Sequence, residues 1–82
     1  MANQRTRKGI PISTAMRHQT TMMGRPCRME TWHRFEVEGK IILFLIYSSA
    51  VRVNDPDLKP WREYRYAIFE GWKPHGGGIF SE

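Results

Sequence analysis

The chain has 82 residues, with 13 Lys/Arg against 8 Asp/Glu and a formal net charge of +5. That length allows one small domain with a thin stability margin. Cys27 is the only cysteine, so an intrachain disulfide is excluded and a reducing, cytoplasmic setting is expected.

Other stabilising devices are hard to find. His18, Cys27, His33 and His75 lack the paired spacing of a structural zinc site, so neither a metal nor a cofactor is expected. The longest apolar run, Ile41–Tyr47, falls far short of the ~20 residues that span a bilayer. The N-terminal residues contain no apolar segment of signal-peptide type.

The charge is unevenly spread. Arg5, Arg7, Lys8, Arg17, Arg25 and Arg28 all precede the first acid, Glu30, whereas the remainder is almost balanced. This asymmetry describes a basic arm on a near-neutral body, and phosphate attracts such an arm because neutralisation releases counterions. Residues 1–11 read as that flexible arm, 12–74 as a single small domain and 75–82 as a Gly-rich flexible tail.

In chain order, Ser13 or Thr14 is placed to cap a short helix over 13–23, closed by Gly24. Ile12, Met16 and Met23 form its weak apolar stripe, with Arg17 and His18 pointing away. Residues 28–38 alternate with period 2, which predicts a half-buried strand. Glu38-Gly39 suits a two-residue primed turn, and with such a loop Phe35 faces Ile42, His33 faces Phe44 and Trp32 faces Leu45.

The side carrying Phe35, His33, Ile42 and Phe44 is taken as core. The opposite side then leaves Ile41, Leu43 and Leu45 under-covered, to be met by a second copy or a partner. A change of apolar parity after Tyr47 predicts a bulge at Ser48-Ser49. After the turn-rich run Asn54–Pro60, a third strand is expected over 61–72. The fold class is therefore α+β or mostly β: a three-stranded antiparallel sheet, hairpin 28–53 plus strand 61–72, with one short helix.

These features fit three functional classes. The preferred one is a small, basic, non-enzymatic protein that contacts DNA or RNA. Its phosphate contacts would come from the six basic residues of the first third together with Arg62 and Arg65, and its base contacts from Tyr64 and Tyr66. The alternative is a phage- or mobile-element-type protein that inhibits or modulates a host complex through an apolar sheet face. Its interface would be Trp32, Ile41, Leu43, Leu45 and Trp61, with self-association expected. The third, a small ribonuclease-like enzyme, needs an acid/base constellation that the spacing of the histidines does not supply. His75–Gly78 (HGGG) has no accompanying G-x-S-x-G elbow, so it is read as tail.

Overall fold

A computed structural model describes residues 9–80, which form a helix α1 (Ile12–Met23) followed by strands β1 (Arg28–Val37), β2 (Lys40–Val51), β3 (Trp61–Glu70) and β4 (Lys73–Ile79). The strands make one antiparallel meander in the order β1-β2-β3-β4. The expected three strands are thus four, because Lys73–Ile79 pairs with β3 instead of forming a tail. Its three successive glycines hid it from any propensity reading. At Gly77 β4 runs close against its neighbour: a Cβ there would stand 2.6 Å from the Tyr66 carbonyl oxygen.

The first hairpin has the register that a two-residue loop dictates, with Phe35 opposite Ile42 and His33 opposite Phe44. Glu38 and Gly39 take φ of 51° and 79°, the two positive values of a type I′ turn. The bulge is not at Ser48-Ser49. Pairing of β2 with β3 is unbroken from Ile42 to Val51, and the irregularity lies across the hairpin in β1, where Glu30 is the extra residue between Met29 and Thr31. β2 shows a parity change because both of its faces are apolar.

The core lies on the side opposite to the one expected. Leu43 and Leu45 of β2 are 1% and 0% exposed, and Ala67 and Phe69 of β3 flank them in register. Helix α1 covers these four residues. Ala15 and Ile10 are buried with them, and Ile12, Met16, Met23 and Cys27 pack around the margin. Each Leu or Phe side chain so buried stabilises by about 1.5–3 kcal/mol. The expectation that Leu43 and Leu45 await a second copy is therefore overturned: their own chain covers them. Ile41 is half-buried beside Gly9, where an added Cβ would come 2.7 Å from Ile41 Cγ2.

The helix enters from an extended Pro11 with no side-chain cap, in place of the expected Ser13 or Thr14. Proline suits that position because the first helical turn leaves its N–H groups unpaired in any case. The residue just before is pinned: Ile10 N–H donates to Gly71 O at 3.1 Å, and Arg34 Nη2 donates to Ile10 O at 2.9 Å. The packed body therefore begins before residue 11, the expected end of the arm. His18 turns towards the sheet, not away from it, with its ring edge-on to Phe69 at 5.6 Å.

Candidate nucleic-acid interface

Strand pairing sets out the uncovered face row by row. Phe35 and Ile42 lie beside Glu70; His33 and Phe44 beside Ile68; Thr31 and Ile46 beside Tyr66; and Ser48 beside Tyr64. No element among the described residues covers this surface. Phe35 and Tyr64 are each 40% exposed, and Phe44, Ile46, Tyr66 and Ile68 are half-buried among one another. The rings are already organised. Phe44 and Tyr66 stack at 5.9 Å with an 18° interplanar angle, and His33 tilts on Phe35 at 5.4 Å.

The aromatic–basic run of β3 divides between the two faces because a strand alternates. Arg62, Tyr64 and Tyr66 fall on the uncovered face, whereas Arg65 falls on the helix side, where its Nε donates to Glu63 at 3.0 Å. Arg25 shares that carboxylate, at 2.8 Å. Arg28 lies at the start of β1 in an ion pair with Glu30 at 3.0 Å. Arg17 is exposed on the helix, its guanidinium 3.4 Å from the Thr14 hydroxyl. Arg5, Arg7 and Lys8 lie outside the described residues.

The proposed interface residues separate in the same way. Trp32 is exposed on the helix side with the Arg34 guanidinium 5.9 Å from its ring, and Trp61 is exposed at the sheet end. Leu43 and Leu45 lie in the core with Phe69.

A polar network closes the end of the uncovered face. The Ser48 hydroxyl, fully buried, donates to Glu30 at 2.6 Å and accepts from Arg62 Nε at 3.0 Å. The Ser48 bond, followed by the one from Arg28, holds the Glu30 carboxyl below the usual carboxylate range. At the far end of the face the Lys40 ammonium, 3.2 Å away, does the same for Glu70. Burial pushes the Cys27 thiol up, so it is neutral near pH 7.

Sequence reasoning named Arg62, Tyr64, Arg65 and Tyr66 as contacts but missed Phe35, His33 and Phe44 as members of that surface, having assigned them to the core. Their pairing was legible; what covers them was not. Among the described residues no group of three His, Cys, Asp or Glu is placed to hold a metal ion, and no helix is long and apolar enough to cross a membrane. Comparison with protein-family models, curated proteins and solved structures gives no match.

Proposed function

We propose that this chain is a small non-enzymatic protein that binds single-stranded nucleic acid on the uncovered face of its sheet. The observation carrying this reading is the row of rings on that face, with Phe44, Tyr66 and Tyr64 leading along the strands to Arg62 and Arg28. Bases stack on exposed rings with about 1–3 kcal/mol each, and the stacking tolerates any sequence because every base has a π-face. Unpaired bases are required, since a duplex keeps its own stacked. The net charge of +5 and the acid-free first third supply attraction for the backbone.

A labelled oligonucleotide titrated by fluorescence anisotropy tests this. Tyr64→Ala and Tyr66→Ala should each weaken binding by about fivefold to a hundredfold while leaving the dependence on salt unchanged. Wild-type affinity in both variants would refute the reading.

A further inference from the structure

Beyond the aromatic face, we propose that the notch at the C-terminal end of β2 is a phosphate-binding site built from Arg25, Arg52 and Arg62. The proposal rests on the single-strand reading for its biological ligand, but the site stands on its own geometry.

Pairing of β1 with β2 ends at Arg28 opposite Ser48, while β2 continues to Val51. Among the described residues, Ser49–Val51 therefore have β3 on one flank and no strand on the other. The chain leading into β1 passes that gap as Arg25-Pro26, and a cavity of about 550 Å³ remains, lined by Arg25, Pro26, Ala50, Val51, Arg52 and Arg62. Among the described residues, three of the six that line it are arginines and none is an acid.

Two of the arginines are held in place by adjacent serines pointing to opposite faces. Arg62 Nε donates to the Ser48 hydroxyl at 3.0 Å, and Arg25 Nε donates to the Ser49 hydroxyl at 2.9 Å. Both serines are buried, at 0% and 1% exposure, which fixes the guanidinium stems. Neither the terminal Nη groups of Arg62 nor the Arg52 guanidinium makes a hydrogen bond or close ion pair among the described residues, and Arg62 acts on the Glu30 carboxylate only at longer range. Arg25 keeps one Nη engaged with Glu63. Forked donors on fixed stems around the hollow suit a tetrahedral oxyanion, because guanidinium presents paired N–H groups to two oxygens at once.

Position links this site to the stacking surface. Arg62, Tyr64 and Tyr66 follow one another on one face of β3, each about 7 Å from the next. A strand whose bases rest on Tyr66 and Tyr64 would reach Arg62 and deliver a backbone phosphate to the notch. Arg52 is the residue this adds, an exposed arginine at the lip of the cavity.

Two titrations test the proposal and separate it from the reading it rests on. In the first, a short fluorescein-labelled oligothymidylate is followed by anisotropy over a range of salt. Arg52→Glu should weaken binding about tenfold or more, as loss of a charge-assisted contact does, and should lower the salt slope by about 0.7 for each phosphate released. In the second, inorganic tripolyphosphate, which has no base to stack, is added to ¹⁵N-labelled protein while the Arg25 and Arg62 Nε–H resonances are observed. Shifts that saturate in wild type and vanish in Arg52→Glu support the site. Oligonucleotide binding that Arg52→Glu leaves within twofold, with tripolyphosphate shifts that are absent or persist in that variant, overturns the notch and leaves the stacking surface standing. Saturating tripolyphosphate shifts without oligonucleotide binding uphold the notch and refute the single-strand reading. Neither response would overturn both.

Discussion

The Gln19 side-chain amide donates to the Tyr47 hydroxyl at 2.8 Å, a polar tie between helix and sheet across 28 residues of sequence. Tyr47 is 3% exposed, so its hydroxyl depends on that partner. Tyr47→Phe should destabilise the fold by about 1 kcal/mol, the net contribution of a typical hydrogen bond, plus a desolvation cost for the stranded amide. Urea unfolding followed by tryptophan fluorescence reads this as a lower midpoint with unchanged slope.

The two faces of β2 should respond differently to truncation. Leu45→Ala, on the helix side, opens a cavity at a fully buried position and should cost about 2–5 kcal/mol. Ile42→Ala, on the uncovered side, removes a partly hydrated side chain and should cost about 1 kcal/mol or less. Equal losses in the same urea experiment would mean that both faces are covered in solution.

Gly77 tests the fourth strand. Gly77→Ala places a methyl group 2.6 Å from the Tyr66 carbonyl oxygen, a backbone atom that cannot swing aside. A penalty of about 1–3 kcal/mol is expected, as for other overpacked sites. Faster amide hydrogen exchange in residues 73–79 should accompany it, with protection of β1 and β2 retained.

Stability should fall with acid through Glu30 and Glu70. Both carboxyls lie below their ordinary value of 4.5 in the folded chain. The unfolded chain therefore binds the proton first. Their stabilisation is complete above that value and is lost as pH falls through the lower, folded values. Glu30→Gln should flatten the drop in urea midpoint between neutral pH and about pH 3. An identical pH profile in the variant would show that other groups govern the acid limb.

The basic arm gives a fourth lever on binding. Deleting residues 1–8 removes Arg5, Arg7 and Lys8 and leaves the packed Ile10 in place. If those three charges meet phosphate, the salt slope for oligonucleotide binding should fall by about 2. Tyr66→Ala should leave that slope unchanged, so the two variants separate charge from stacking.

Much of the sheet was legible because local rules dictate it. Period-2 alternation and the Glu38-Gly39 pair fix the hairpin register from Val37 back to Thr31, short of the Glu30 bulge, and Gly24 marks the helix end. Which face is core was not legible from the hairpin alone. Arg34 and Glu36 made the Leu43 side look polar, yet they stand at the edge strand, and α1 supplies the apolar cover from elsewhere in the chain. Alternation sorts residues into two sets; only the tertiary partner says which set is inside. The site inherited that inversion. The sequence marks Tyr64 and Tyr66 as stacking residues but points Phe44 and Phe35, on the same face of the sheet, to the interior. β4 escaped because a glycine run carries no side-chain pattern, and its pairing depends on room left beside Tyr66.

The apolar character of β2 on both faces bears on how the chain finds its structure. In most half-buried strands a slip of one residue exposes every large side chain, and that cost alone rejects the error. Here a slip would exchange Leu43 and Leu45 for Ile42, Phe44 and Ile46, so hydrophobic burial distinguishes the two pairings poorly. Discrimination falls instead to a few local anchors: the positive-φ pair at Glu38-Gly39, the Glu30 bulge and the hydroxyls of Ser48 and Tyr47. Folding fidelity in this protein is thus concentrated in turns and polar contacts, and loosening them would populate misregistered hairpins before it unravelled the core.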